Sequence, residues 1–222
     1  MNSIRDQILS YYNQKKYTHL SEKAYDIIVE LIITLQFEPD AIYPESAFVE
    51  MADIGRTPIR EALKRLEFIK ILQSLPRSGI HISSLRSEDA KLEREVRCAI
   101  EELIIKKTAV NAFPHERQHL RELMMEHDKA FYEKDFLRTV RSDLQFHLSV
   151  ANYARNPYAQ NALLPFLISE CRLFYLYVNS PRTDLSCYSE THDTHIKMMQ
   201  HIIDGNGEEA CECLRNSTFR QG

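Results

Sequence analysis

Gly55-Arg56-Thr57-Pro58-Ile59-Arg60-Glu61-Ala62-Leu63-Lys64-Arg65-Leu66-Glu67 is the most informative run of this 222-residue chain. Pro58 suits the first turn of a helix, where its missing N–H has no partner to lose. Ile59, Ala62, Leu63 and Leu66 recur at i, i+3, i+4 and i+7 and so share one face. At about 100° per residue, Arg56, Arg60 and Lys64 fall in a narrow arc beside that face, with Thr57 next to them. A helix with an apolar back and a cationic front suits a DNA major groove, and its first-turn amides attract phosphate. The same pattern also describes a surface helix with solvated charges, so the flanking segments must decide.

Upstream, Leu20, Ala24, Ile27, Ile28, Leu31 and Ile32 mark a helix over 20–35, and Pro39 and Pro44 bracket a break. A second helix is expected over 45–52, with Phe48, Val49 and Ala52 inward. Asp53-Ile54-Gly55 is the tight turn before the third helix, Thr57 to about Phe68. Downstream, Ile71–Leu75 and Ile80–Ile82 read as strands joined by the turn Pro76-Arg77-Ser78-Gly79. Three helices followed by a β-hairpin is the order of a winged helix-turn-helix, assigned to 18–84. Residues 3–14 form a short helix in an N-terminal extension, 1–17, with no assigned role. From 85 to 222 no strand signal appears. Helices are expected over 88–110, 115–133, 135–153, 157–180, 188–204 and 207–218, broken at Pro114, Asn156-Pro157, Pro181 and Gly205-Asn206-Gly207. The fold class is therefore mainly α: a winged helix-turn-helix followed by an all-α antiparallel helical bundle.

Composition narrows the function. There are 28 Lys and Arg against 32 Asp and Glu, a net charge of −4, which argues against a protein that coats nucleic acid non-specifically. Between Ile54 and Ile82, however, six cations face two anions, the local patch that specific DNA binding needs. The five cysteines, at 98, 171, 187, 211 and 213, form no CxxC, which points to reduced thiols. No apolar run approaches 18 residues, and the first residues lack a signal-peptide core, so a cytoplasmic protein with no membrane partner is expected. Neither a glycine-rich phosphate loop nor a nucleophile motif is present, and no enzyme activity is expected.

GRTPIREALKRLE is similar to the signature of the GntR family of transcription regulators, usually SRTPVREALxRLE. Glu45 stands at that family's acidic position before the second helix, Pro39 at its Pro-Gly turn and Gly79 at the wing tip. The resemblance implies an operator-binding homodimer in which Arg56 and Arg60 contact base edges or phosphate and Thr57 contacts phosphate. Lys64 lies on the same face, and Arg77 with Gly79 forms the wing. Arginine's bidentate fork matches guanine O6 and N7. Three positions depart from the family: Gly55 replaces its serine, Asp53 its turn glycine and Ser78 its second wing arginine.

The second half resembles the all-helical FCD effector domain of the FadR-type GntR subfamily. Glu95-Val96-Arg97-Cys98-Ala99-Ile100-Glu101 is similar to its ExRxxxE opening, and Asp143-Leu144-Gln145-Phe146-His147 to its DxxFH motif. Asp143 and His147, at i and i+4, leave one helical face together and can share either a divalent ion or a hydrogen bond. With His195 from another helix they make a three-ligand set for zinc, nickel or manganese, completed by water or an effector carboxylate. The further histidine that many members carry falls at Ser217 here. His127, His192 and His201 are read as surface or packing residues. The resemblance implies a small carboxylate effector. Arg97 is the expected contact, with a salt bridge to Glu93 or Glu101 as the alternative, and Arg172 is a second expected contact. The overall expectation is a repressor modulated by that effector. A metal-sensing regulator and a metal-dependent helical enzyme are the competing readings, the latter lacking a general base beside Asp143, His147 and His195.

Overall fold

A computed structural model describes residues 3–85, 87–180 and 186–216. In order come α1 (Ile4–Asn13), α2 (Leu20–Ile33), β1 (Ile42–Tyr43), α3 (Glu45–Ala52), α4 (Arg56–Phe68), β2 (Leu72–Leu75), β3 (Gly79–Ile82), α5 (Ser87–Asn111), α6 (Pro114–Tyr132), α7 (Phe136–Tyr153), α8 (Pro157–Val178), α9 (Ser186–Asp204) and α10 (Gly207–Asn216). The chain divides into two compact units: Met1–Arg86 with Ile168–Leu176, and Ser87–Leu167 with Tyr177–Gly222.

The first unit is the winged helix-turn-helix. The apolar positions of α2 (Ala24, Ile27, Ile28, Leu31, Ile32) and of α4 (Ile59, Ala62, Leu63, Leu66) are all buried. Leu20, the first residue of the expected α2 stripe, is instead 62% exposed. Phe37 stacks on Phe48 with ring centroids 4.1 Å apart, fixing α3 against the α2 end. The hairpin β2–β3 gains a third strand, with Ile42 paired to His81 and Tyr43 to Ile80. Two residues are too short to leave a period-2 pattern, so β1 left no trace in the sequence. Helix α1 is bound to this unit: Ile8 and Tyr12 are buried, and Arg5 donates to the carbonyls of Glu50 (2.9 Å) and Met51 (3.0 Å) near the end of α3.

The second unit is all-helical among the described residues. Ile104, Leu120, Phe146, Leu163, Met199 and Leu214 place one residue each from α5 to α10 in a single core. Thr108 donates to the Val150 carbonyl at 2.6 Å, joining α5 to α7. Arg117 donates to the carbonyls of Ala109 (2.6 Å) and Ile203 (2.7 Å), satisfying helix-end groups of α5 and α9. Among the described residues no helix is long and apolar enough to cross a membrane.

Candidate nucleic-acid interface and candidate metal centre

Helix α4 presents its cations outward because its apolar face is committed to the core. Arg56, Thr57, Arg60 and Lys64 are all exposed. Gly55 caps the helix with φ −60° and ψ 161°, ordinary extended geometry, and open space surrounds its Cβ direction. The family's serine would fit there. No acidic side chain occupies the first turn of α4, so its positive end is left uncompensated from within the helix. Asp53, where the family has glycine, is left-handed at φ 52° and ψ 42°, a conformation that aspartate tolerates better than most residues.

Arg60 does not wait alone. Its Nε donates to Glu45 Oε2 at 2.8 Å and Oε1 at 3.0 Å, with 62% of the arginine side chain exposed. Arg56, Lys64 and Arg77 form no ion pair among the described residues. Arg65 points elsewhere, lying over the Tyr25 ring at 4.0 Å. At the wing, Arg77 is exposed and left-handed at φ 65°. Gly79 has φ 124°, and a Cβ there would sit 2.6 Å from the Tyr43 carbonyl oxygen. Its glycine is thus required by the close approach of β1, a reason separate from DNA contact.

The second unit gathers a cluster of ionisable groups. Asp143 of α7 receives His195 of α9, Nε2 to Oδ1, at 2.8 Å. His147 Nε2 lies 3.7 Å from the same oxygen, while its Nδ1 faces Glu101 Oε1 at 3.1 Å. The sequence grouping of Asp143, His147 and His195 is therefore brought together in space. His127 of α6, read from sequence as a surface or packing residue, joins them. Donor atoms of His127, Asp143 and His195 lie within 4.8 Å of one another. Its Nδ1 sits 3.2 Å from the Thr139 carbonyl. The legible clue was its place on the inward stripe of 114–132, between Leu120 and Ala130, both fully buried. His192 instead stacks on Phe131 (centroids 3.7 Å apart) and meets Asp128 at 2.9 Å.

Burial and charge set the protonation states. Burial alone would raise the Asp143 carboxyl, but His195 and His147 hold it well below the ordinary range. Burial pushes His127 down to about 4, so its ring is neutral near pH 7. His147 is raised: burial opposes its charge, and Asp143 and Glu101 overcome that. Glu101 is lowered against its burial by Arg97 and His147. Arg97 Nε pairs with Glu101 Oε2 at 3.2 Å, the salt bridge anticipated as the alternative role for Arg97. Arg172, the second expected contact, is 1% exposed and donates to Ser83 Oγ (2.8 Å) and the Ser83 carbonyl (2.7 Å) within the first unit. Ser217, the expected place of a further histidine, lies outside the described residues.

Residues 20–82 match the family described as bacterial regulatory proteins, gntR family, and residues 94–218 match the FCD domain. The chain is 26% identical over 152 residues to the uncharacterized HTH-type transcriptional regulator YdhC of Bacillus subtilis (strain 168), covering 67% of this chain and 68% of that protein. Its fold is similar to E. coli McbR/YncC, with a TM-score of 0.76 at 15% identity over 90% of this chain and 94% of that one. It is also similar to a putative transcriptional regulator GntR from Rhodococcus sp. RHA1, with a TM-score of 0.60 at 19% identity, covering 89% and 92%.

Proposed function

This chain belongs to the GntR family of bacterial transcription regulators that carry an FCD domain, and we propose that it is a homodimeric repressor released from its operator by a small carboxylate. The observation that carries the DNA half is the outward arc of Arg56, Thr57, Arg60 and Lys64 on a helix whose other face is buried. Arg56 and Arg60 read guanine edges or hold phosphate, Thr57 and Lys64 hold phosphate, and Arg77 with Gly79 carries the wing. Two such heads on a two-fold axis read a short pseudo-palindrome.

The effector half is supported by the ionisable cluster of the second unit. Asp143 Oδ1, His147 Nε2 and His195 Nε2 are suited to a divalent ion such as zinc, nickel or manganese: the two imidazole nitrogens lie 3.7 Å and 2.8 Å from the same carboxylate oxygen, and Glu101 Oε1 stands 3.1 Å from His147 Nδ1. Bound there, the ion supplies a Lewis-acidic point for a carboxylate. Arg97, beside it and already paired to Glu101, adds a second cationic contact. Ligand then changes operator affinity through a coupling of about 1–3 kcal/mol.

Selection of genome fragments by the purified protein tests this, followed by titration of small carboxylates and of metal into the resulting complex. Enrichment of a pseudo-palindrome that a carboxylate releases is expected. Release by metal alone would make the ion the signal and overturn the effector assignment.

A further inference from the structure

We infer that His127 of α6 is a metal ligand, so that the ion is held by three imidazoles and one carboxylate drawn from α6, α7 and α9. The inference rests on the divalent-ion proposal above and deepens it. Three independent observations support it. First, His127 is 5% exposed, and its donor atom lies within 4.8 Å of those of both Asp143 and His195. Its ring centroid is 5.4 Å from that of His195, and the His147 centroid is 5.3 Å from that of His195. The His127 and His147 rings thus both lie beside that of His195, whose Nε2 meets Asp143 Oδ1.

Second, the rings are oriented for this. His127 Nδ1 sits 3.2 Å from the Thr139 carbonyl, and His147 Nδ1 lies 3.1 Å from Glu101 Oε1 as an ion-pair contact. A neutral imidazole that donates from Nδ1 offers its lone pair at Nε2. Anchoring the outer nitrogen by a carbonyl or carboxylate is how proteins orient metal-bound histidines. For His147 the other nitrogen, Nε2, lies 3.7 Å from Asp143 Oδ1.

Third, the distances need little adjustment. Tetrahedral ligands at about 2.0–2.1 Å from an ion stand roughly 3.3 Å apart. Asp143 Oδ1 has imidazole nitrogens at 2.8 Å and 3.7 Å, on either side of that value. His127 supplies the additional imidazole from α6, so the site needs no ligand from the last helix. Such a set of nitrogen donors with one oxygen suits zinc or a similar ion.

The wild-type full-length protein, loaded with zinc and dialysed, provides a test that no folding defect can blur. X-ray absorption at the zinc edge counts coordinated imidazoles. Three imidazoles and one equivalent per chain are expected; two imidazoles in the wild type that persist in His127→Gln would overturn the assignment of His127 while leaving the ion with Asp143, His147 and His195. In equilibrium dialysis, His127→Gln should weaken zinc binding at least tenfold and Ser217→Ala should not. Unchanged affinity in His127→Gln overturns the inference. A wild-type chain that retains no ion overturns the divalent-ion proposal itself, and this one with it.

Discussion

Arg60 and Lys64 occupy the same exposed face of α4 on different terms. Arg60 already shares its Nε with both oxygens of Glu45, yet an ion pair this exposed is screened by water and contributes little. DNA can displace it at little cost, and meanwhile the contact holds the arginine extended. Lys64 has no such partner among the described residues and suits a phosphate. Lys64→Ala should therefore weaken binding equally for all sequences and lower the salt slope of log K by about 1. Anisotropy titrations at several salt concentrations check this; a loss confined to one operator sequence would remove the phosphate role. The outward arc was legible because one buried stripe sets the phase of every residue on its helix. His127 was not. Its partners Asp143 and His195 sit on other helices, and only tertiary packing brings them together. Asp143 and His147, a single turn apart, were the one pair whose neighbourhood the chain itself declares.

Among the elements, the helices were readable from their long apolar stripes, with Pro114, Asn156-Pro157 and Gly205-Asn206-Gly207 marking several of the breaks. Expected and observed ends differ by at most a few residues, as for 115–133 against Pro114–Tyr132. Strand β1 was not readable, being two residues held by pairing with β3 rather than by its own pattern. That pairing predicts that Gly79→Ala, at φ 124° with its Cβ 2.6 Å from a carbonyl oxygen, destabilises the protein by roughly 1–3 kcal/mol. Denaturant unfolding measures it; an unchanged midpoint would mean that the wing does not approach β1 this closely. Helix α6 carries a pH-dependent cap. Burial disfavours the Glu116 charge, but the Phe113 amide at 2.8 Å and Arg155 at 3.0 Å hold its carboxyl below the ordinary range. A carboxylate with a depressed folded-state pKa contributes stability above its unfolded pKa and loses it as pH falls through the folded one. Glu116→Gln should thus cost about 1 kcal/mol at neutral pH, with the difference shrinking below about pH 4.3. A difference that persists undiminished at pH 3 would contradict the cap.

For the molecule as a whole, the family assignment has two parts: residues 20–82 match the gntR family and 94–218 the FCD domain, the latter including Ile168–Leu176 of the first compact unit. The first was legible in a 13-residue run because DNA recognition by one helix is local in sequence. The second was legible only as motif fragments, because residues such as His127, Asp143 and His195 come together from three different helices. If the second unit controls the first, effector and operator must affect each other equally, by about 5- to 150-fold in affinity. Titrating a releasing carboxylate with and without operator tests this reciprocity, and equal effector affinity in both states would sever the two halves. The central claim is that the cationic face of α4 reads duplex DNA. The most direct measurement compares the wild type with Arg60→Ala on a selected operator and on a scrambled duplex. The account predicts a loss of about 1–3 kcal/mol on the operator, little change on the scrambled duplex and an unaltered unfolding midpoint. A wild-type protein that binds no duplex at low salt, or an Arg60→Ala variant that binds the operator as tightly as before, would contradict it.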